Sequence, residues 1–426
     1  MQSITASNKT LIVAAALALV VVGLAAALLM AGGGGGEGVL EIGMSVSLTG
    51  KYKPLCEQGL AGAYAAALWI NDNGGVKAGD KVFRVEIKYY DDKSSADEAV
   101  RRVEYMIRQE GIQILLAPCG PDLVEEAARV ADDNGALMLV YGDAPDAVFE
   151  QGYRMVVQAG MHTIDYFRST LEMAKYIDRG ASRVAIIYLD NPFAENAARG
   201  ARKAAAELGF EVVFYESYSS DLSDLEPLLL RLQATDPHII IGGGLVEDGI
   251  VLARTLAEFG IEARLISLLV APALPEFGER LGRLAEGIAY PTPWELASTP
   301  YETPEGFQFY GPTREEFYQY FNRAVEELGL DLKEPSYHAA LAAKAVLTLA
   351  KAVEESGSTS PEDLREALSQ IKLLAFSGVF QIDPETGAHL GGEMLVAQWI
   401  GGRRVLVWPP GQAFASPLYP HPGWPG

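Results

Sequence analysis

Residues able to do chemistry are few in this chain, and their spacing fits no catalytic or metal-binding motif. The two cysteines, Cys56 and Cys119, are too few for a disulfide-rich scaffold or a four-cysteine zinc site. No GxSxG, Walker loop or helix-opening GxGxxG occurs, and the histidines form neither an HExxH motif nor a close pair. The histidines are His162, His238, His338, His389 and His421. The sequence therefore predicts no catalytic residue, no metal site and no cofactor.

Glycine, acidic and aromatic residues collect instead in the loops that follow predicted strands. These loops are residues 48–50, 119–122, 141–144, 190–193, 242–248 and 269–271. In open α/β sheets, ligands bind outside the carboxyl ends of the strands. None of these loops pairs a nucleophile with a base, so they favour noncovalent recognition of a ligand over catalysis.

The elements that position these loops alternate between strand and helix patterns. Apolar runs predict strands at 40–47, 83–90, 112–117, 136–141, 183–189, 211–218, 238–241 and 264–269. Amphipathic patterns predict helices at 57–71, 96–109, 122–133, 162–177, 194–208, 225–233, 247–259, 313–327, 336–354 and 361–370. This order is typical of parallel sheets covered by helices, so we predict an α/β fold with two doubly wound, Rossmann-like halves.

Composition and charge exclude several classes of protein. The 426 residues contain 34 Lys and Arg against 56 Asp and Glu, which gives a net charge of −22. This charge repels phosphate backbones, so no nucleic-acid partner is expected. With 49% hydrophobic and 21% charged residues, the chain is neither broadly disordered nor a polytopic membrane protein.

The N-terminus contains a candidate membrane segment. Residues 11–30 are twenty consecutive apolar residues, long enough as a helix to span a hydrocarbon core of about 30 Å. Lys9 precedes them, so the positive-inside rule places the remainder of the chain outside the cytoplasm. We predict that residues 1–31 are a single-pass anchor in the cell membrane; a cleaved signal peptide is the alternative. The Gly-rich residues 32–38 then form a flexible linker.

Several sequence motifs in order resemble one known family. They include IGMSVSLTG, NDNGGV, YLDNPFAENAARGARKAAAELGFEVV, SYHAALAAKAVLTLAKAVEESGS and QWIGGRRVLVWP. Together they resemble the type I periplasmic solute-binding proteins of the leucine/isoleucine/valine-binding family, over about residues 40–409. The resemblance implies two lobes joined by three crossings, a ligand trapped when the lobes close, and delivery to the permease of an ABC transporter.

The resemblance also implies a division of the chain into lobes. Lobe 1 is expected to contain residues 39–159 and 288–378, and lobe 2 residues 160–287 and 379–408. The crossings then lie near 158–160, 287–290 and 377–378. Residues 409–426 are rich in proline and are expected to form an extended tail.

Two of the family's ligand contacts match positions in lobe 1. Gly120 stands at the position of the serine that binds the carboxylate of the amino acid. Residues 141–145 match the downstream Ser/Thr region that holds both the carboxylate and the ammonium group. The expected hydroxyl groups are therefore absent from this side of the site.

Lobe 2 supplies the remaining matches. Phe193 matches an aromatic residue of the second lobe and is expected in the cleft wall, with a core position as the alternative. A further aromatic position matches Gly244 or Leu245, and the acidic partner of the ammonium group matches Val270 and Ala271. The candidate ligand-binding residues are Gly120, Asp122, Tyr141, Gly142, Asp143, Phe193, Gly244 and Val270.

Two aspartates stand where hydroxyl groups were expected. A ligand carboxylate about 4 Å from ionised Asp122 or Asp143 would meet repulsion of about 1 kcal/mol at the dielectric of water and about 4 kcal/mol at an effective value of 20. The N–H groups of Gly120 and Gly142, with the positive end of the following helix, offer compensation. Alternatively, Asp122 only complements that helix dipole, and Asp143 only forms an Asx turn.

The two cysteines form a candidate disulfide. Cys119 sits where some family members have a disulfide cysteine, but their partner position is Lys93 here. Cys56, in the loop after the first strand, leaves the same sheet edge, and an extracytoplasmic location permits the bond. The alternative is two separately buried thiols.

These observations favour a membrane-tethered, monomeric and noncatalytic receptor. We expect it to bind an amino acid or amide as a small-molecule ligand and to serve the permease subunits of an ABC importer. The alternative is the ligand-sensing ectodomain of a receptor system, because the same fold is used for signalling. An α/β enzyme is a distant third interpretation.

Overall fold

The computed structural model describes residues 37–142, 144–297 and 302–425. Within those ranges, no helix is both long and apolar enough to cross a lipid bilayer. The apolar run at 11–30, for which we predict a membrane anchor, lies outside the described residues.

Strands and helices alternate along the described chain. In chain order the strands are β1 (Glu37–Val46), β2 (Val76–Ala78), β3 (Lys81–Asp91), β4 (Ile114–Leu116), β5 (Leu137–Val140), β6 (Val156–Gln158), β7 (Arg183–Leu189), β8 (Glu211–Tyr218), β9 (Ile239–Gly243), β10 (Leu265–Leu268), β11 (Ile288–Thr292), β12 (Gln308–Phe309), β13 (Leu373–Ala375), β14 (Gly378–Phe380), β15 (Leu395–Ile400) and β16 (Arg403–Trp408). The α-helices are α1 (Lys53–Asp72), α2 (Ala96–Arg108), α3 (Pro121–Asp133), α4 (Arg168–Ile177), α5 (Pro192–Glu207), α6 (Leu225–Gln233), α7 (Val246–Glu258), α8 (Pro275–Leu281), α9 (Arg314–Leu328), α10 (Tyr337–Ser356) and α11 (Pro361–Gln370). β7, β8, α6 and α11 begin and end at the predicted residues.

Six strands form the sheet of the first lobe, in the order β2-β3-β1-β4-β5-β6. The strands are parallel except for β2, which runs antiparallel to β3. The central strands β4 and β5 are uninterrupted apolar runs, and every residue in them is buried. Such runs are typical of parallel strands that are covered on both faces.

Helices α1 and α10 are rich in alanine and pack closely together in this lobe. Gly62 of α1 lies directly against the backbone of Ala339, and a Cβ at position 62 would overlap the Ala339 carbonyl group. Glycine is therefore required here for the close approach of the two helices. Helix α10 is buried along most of its length, and the buried stretch includes Lys344.

Seven strands form the sheet of the second lobe, in the order β16-β15-β11-β10-β9-β7-β8. β15 runs antiparallel to β11, and β16 antiparallel to β15. The pairs β7–β8, β7–β9, β9–β10 and β10–β11 are parallel. Two separate twisted sheets, each with its own helices, make the two lobes that the sequence predicts.

The second crossing lies later in the chain than the sequence suggested. Residues from 288 onward were assigned to lobe 1, but β11 pairs with β10 and β15 in the sheet of lobe 2. All five residues of β11 are buried. The chain therefore returns to lobe 1 after Thr292, because the residues expected at the crossing form part of the sheet of lobe 2.

The third crossing also lies later in the chain than predicted. Position 379 was expected to begin the return to lobe 2, but β14 pairs with β13 in a small sheet, in the order β12-β13-β14. The following segment hydrogen-bonds to β6 of lobe 1, since Gln158 N donates to Gly387 O at 2.8 Å. Lobe 1 thus extends to about residue 390, and the chain crosses over residues 391–394 to β15.

The C-terminal residues after Trp408 contain no helix or strand in their described part, yet they are held against lobe 2. Leu418 N donates to Gln398 Oε1 at 2.7 Å, and His421 N donates to Arg264 O at 2.8 Å. The indole N–H of Trp424 donates to Ile261 O at 2.8 Å. The predicted tail is therefore a docked segment of the lobe.

A disulfide joins Cys56 of α1 to Cys119 in the loop before α3, with 5.6 Å between the two Cα atoms. Both residues are buried. The prediction of this bond is confirmed. It fixes the first turn of α1 to a strand-end loop, so it helps to position the residues of the cleft described next.

Candidate functional site

A cleft of about 400 Å³ opens between the two lobes. Lobe 1 lines it with Lys51, Tyr52, Pro121, Asp122 and Pro145, and lobe 2 lines it with Leu189, Asp190, Asn191, Pro192, Phe193, Ser220, Leu222, Leu245, Val246, Glu247 and Asp248. Leu189 is the last residue of β7, and the other residues lie in the loops at the carboxyl ends of β1, β4, β5, β7, β8 and β9 or in the first turn of the helix that follows. The cleft is thus built where open α/β sheets bind ligands.

The wall from lobe 1 is centred on Asp122 in the first turn of α3. The Tyr52 hydroxyl donates to Asp122 Oδ1, and Lys51 Nζ lies 2.9 Å from Asp122 Oδ2. Burial, followed by the nearby Asp122 carboxylate, raises the pKa of Tyr52, so its phenol stays protonated and remains a donor. The Lys51 and Asp122 side chains are 56% and 46% exposed, which leaves their ion pair open to exchange with a ligand.

Gly120 precedes α3 and has no room for a side chain. A Cβ at this position would lie 2.5 Å from the ring of Tyr52. The resemblance matched Gly120 to a serine, but the Tyr52 ring fills the space that such a side chain needs. A hydroxyl group does stand at this wall, on Tyr52, which sequence reasoning missed, and it donates to Asp122.

The wall from lobe 2 begins with the loop that enters α5. Asn191 Oδ1 accepts a hydrogen bond from Ala194 N at 2.8 Å and caps the helix. The side chain of Phe193 is 0% exposed and packs edge-on against Tyr166, with 5.8 Å between the ring centroids. Its ring thus lies in the core beneath the cleft. The expected position in the cleft wall is wrong for this ring, and the alternative core position is correct.

Two acidic residues at the start of α7 already have partners. Asp248 accepts hydrogen bonds from Leu245 N at 2.7 Å and from the Tyr218 hydroxyl at 2.5 Å, and its burial raises its pKa. Glu247 accepts a hydrogen bond from Arg280 Nη2 at 2.9 Å, which lowers the pKa of the glutamate. Both side chains therefore have a structural role at the helix start.

Asp146 joins the lobes next to the cleft. In the 3₁₀ helix Asp146–Glu150 that follows β5, it accepts hydrogen bonds from Thr163 N at 3.0 Å and Ile164 N at 2.9 Å in the first crossing. Asn196 Nδ2 of α5 donates to the same carboxylate at 2.6 Å. One side chain of lobe 1 thus holds both the crossing and a helix of lobe 2.

The remaining candidate residues lie around the cleft rather than among its lining residues. The Tyr141 side chain is buried, and its hydroxyl lies against Gly59 of α1. Gly142 has space on its Cβ side, where the nearest atom, Cys119 O, would be 3.5 Å away. Gly244 packs against Leu189, and Val270 is buried with a φ of 51°. Asp143 lies outside the described residues.

Of the candidate residues that the structure describes, only Asp122 and Phe193 are among the residues that line the cleft. The ring of Phe193 is buried, so it does not face the cleft. The sequence missed Lys51 and Tyr52. One signal was available, since both directly follow the loop after the first predicted strand. Their pairing with Asp122, some seventy positions away, left no local signal.

The cleft is acidic in its described part. Asp122 pairs with Lys51, and Glu247 pairs with Arg280, while Asp190 is exposed and has no ion pair among the described residues. No group of three or more His, Cys, Asp or Glu side chains in that part of the chain could hold a metal ion. The site thus offers hydrogen bonds, one lysine and carboxylates to a polar ligand.

Comparison with known proteins assigns the class. Residues 39–403, which include both lobes and the loops that line the cleft, match the family model described as periplasmic binding protein. The chain belongs to this family of periplasmic binding proteins.

Individual relatives agree with this assignment. The leucine-specific-binding protein of Salmonella typhimurium is 26% identical over 373 residues, which cover 85% of this chain and 92% of the relative. The Leu/Ile/Val-binding protein homolog 1 of Brucella abortus is 23% identical over 345 residues, which cover 77% and 82%.

Solved structures show the same fold. The substrate-binding protein LivJ of Streptococcus pneumoniae, in complex with isoleucine, superposes with a TM-score of 0.70 at 16% identity, covering 86% of this chain and 97% of LivJ. The leucine binding protein LivK of Thermotoga maritima superposes with a TM-score of 0.67 at 21% identity, with the same coverage. The two-lobe type I architecture is therefore shared with these proteins.

Proposed function

We propose that this protein is an extracytoplasmic solute-binding protein that captures an amino acid or a related small polar solute, such as an amide, between its lobes. It then delivers the solute to the permease subunits of an ABC importer. Family membership supports this proposal, as do the relatives that are named for binding leucine, isoleucine and valine. Binding without catalysis agrees with strand-end loops that pair no nucleophile with a base.

The observation that carries the proposal is the cleft itself. Its lining comes from strand-end loops of both lobes, so a ligand inside it contacts both. Such a ligand binds the closed state more tightly than the open state, and this differential affinity shifts the equilibrium towards closure. Hinge closure is the step that a transporter permease can recognise.

The pair formed by Lys51 and Asp122 is the proposed contact for a zwitterionic ligand. The ion pair is half-exposed, and exposed pairs contribute only about 0–1 kcal/mol to stability, so a ligand can replace it at low cost. The ammonium group of the ligand then binds Asp122, and its carboxylate binds Lys51. Gly120 and Gly142, the other expected contacts in lobe 1, lie beside the cleft lining, so ligand binding by their N–H groups stays a prediction.

The proposed location is the outer face of the cell membrane. Residues 1–31 are proposed to be either a single-pass anchor or a signal peptide. The expected linker, residues 32–38, is shorter than predicted, because Glu37 and Gly38 belong to β1. The extracytoplasmic side agrees with the disulfide between Cys56 and Cys119, which an oxidising compartment permits. The binding domain is proposed to act as a monomer.

A thermal-shift screen tests the proposal on residues 39–426. Amino acids, amides, polyamines and short-chain acids are the probes, because a ligand present at about 100 times its dissociation constant adds about 2.7 kcal/mol to stability. Calorimetry on each hit then compares Asp122→Ala with the control Asp133→Ala. Asp133 lies on the same helix, is exposed, and pairs with Arg129 at 2.9 Å.

Asp122→Ala should weaken binding by about 1–3 kcal/mol, whereas Asp133→Ala should bind like the wild type. The proposal fails if no amino acid or amide raises the melting temperature. The assignment of Asp122 fails if both variants keep wild-type affinity.

A further inference from the structure

A second cavity, of about 770 Å³, lies at the hinge between the lobes. We call it the hinge cavity. Met161 of the first crossing, Pro293 after β11 and Glu393 of the third crossing all line it. It shares no lining residue with the interlobe cleft, so the two are separate sites.

Lys344 of α10 is the notable side chain of this cavity. It is 2% exposed and lines the cavity, and its Nζ donates one hydrogen bond, to Val379 O at 3.2 Å. Among the described residues, no carboxylate lies within 4.0 Å of this Nζ. An ammonium group has three donors, so two of them lack a protein partner in this part of the chain.

The residues around Lys344 also offer too few hydrogen-bond acceptors. His389 is buried and also directs its Nε2 to Val379 O, at 3.2 Å, so two side chains share one acceptor. The other ring nitrogen of His389, Nδ1, is buried with no hydrogen-bond partner among the described residues. A buried ammonium without an anion is costly by several kcal/mol, so this site favours an anion taken from solution.

The remaining lining restricts the kind of anion. Glu302 and Glu393 also line the cavity, and their negative charge disfavours a dianion such as phosphate or sulfate. Met161, Pro293 and Leu395 give the cavity an apolar face. A single carboxylate attached to an apolar group matches both features, because the carboxylate meets the ammonium and the apolar group meets this face.

We propose that the hinge cavity binds a small organic monocarboxylate, with its carboxylate on Lys344 Nζ and its apolar part against Met161 and Leu395. This site is additional to the interlobe cleft. Because all three connections between the lobes supply lining residues, its occupant contacts the segments that reorient when the lobes move.

Acetate, butyrate and benzoate are the probes for the test. Each is titrated by calorimetry at about pH 6, where most Lys344 side chains are protonated, and at constant ionic strength with chloride as the compensating anion. The variants are Lys344→Met and Lys344→Gln. The matched control is Lys351→Met, on the same helix two turns later, where Lys351 Nζ pairs with Glu355 at 2.6 Å. Wild type and Lys351→Met should bind butyrate or benzoate, and both Lys344 variants should bind at least about tenfold more weakly.

A measurement on the wild type alone keeps the proposal testable if the Lys344 variants fail to fold. In protein labelled with ¹³C at the methionine methyl groups, benzoate should shift the Met161 resonance, which Met161→Leu assigns. Equal affinity in wild type and folded Lys344 variants would overturn the proposal. So would the absence of any benzoate effect on Met161.

Discussion

Replacing Lys344 with methionine should stabilise the protein at neutral pH, and this gain should shrink as the pH rises. Burial lowers the pKa of Lys344 from its usual 10.5 to about 7. Methionine fills a similar unbranched shape without a charge, so the substitution removes the buried ammonium and leaves the packing of α10 largely intact.

The size of the effect follows from proton linkage. In the unfolded chain the amine keeps its usual pKa, so between pH 7 and 10.5 the unfolded state binds more protons than the folded state. The free energy of unfolding of the wild type therefore rises with pH in this window, by about 1.4 kcal/mol per pH unit. The pKa difference between the unfolded and the folded state, from 10.5 to about 7, is about 3.5 units. It corresponds to a change in the free energy of unfolding on the order of 5 kcal/mol, which the wild type loses as the pH falls from 10.5 to 7.

The assay is urea unfolding of wild type, Lys344→Met and the control Lys351→Met, in chloride buffers without organic acids, between about pH 7 and pH 10. His389 stays neutral throughout, because burial and the nearby Lys344 lower its pKa to about 3. The advantage of Lys344→Met over wild type should fall steadily with pH, while Lys351→Met should run parallel to wild type. An advantage of Lys344→Met that is constant across this range would refute the reasoning.

Three further predictions concern the fold and its motion. Protein that is unfolded without reduction should show no free thiol, and two titratable thiols would contradict the disulfide. Replacing Cys56 and Cys119 by serine should lower the free energy of unfolding, measured in urea, by about 4 kcal/mol. Gly62→Ala should destabilise the fold by about 1–3 kcal/mol, because its Cβ overlaps the Ala339 carbonyl; an unchanged urea midpoint would show that the helices separate freely. For residues 39–426, saturating cleft ligand should reduce the radius of gyration in X-ray scattering, and identical curves with and without ligand would contradict hinge closure.

The local architecture could be read from the sequence with good accuracy. Strand β7 (Arg183–Leu189) and helix α6 (Leu225–Gln233) begin and end where apolar runs and helical periodicity place them. These signals lie within a dozen neighbouring residues, so no distant contact is needed to read them. The alternating pattern also indicated two α/β halves, and the shared sheet edge of Cys56 and Cys119 indicated their disulfide, although the family's partner position for Cys119 is Lys93 in this chain.

The lobe boundaries required the tertiary structure. A crossing was expected near residues 287–290, but Ile288–Thr292 forms a strand that pairs between β10 and β15. Position 379 looked like the return to lobe 2, but it belongs to β14 beside β13. Strand pairing depends on which distant segments meet, and a short apolar run carries no information about its partner.

The site residues were also decided by packing. Phe193 was expected in the cleft wall, yet its ring lies in the core against Tyr166. Tyr52, by contrast, lines the cleft, and its hydroxyl donates to Asp122. The burial of Lys344 was also decided by packing, because nothing in the sequence of its alanine-rich helix shows that this lysine is buried. The sequence by itself determined the elements, the family and the sheet edge that forms the cleft. Only the tertiary structure decided which side chains face that cleft, since side-chain direction depends on contacts between segments far apart in the chain.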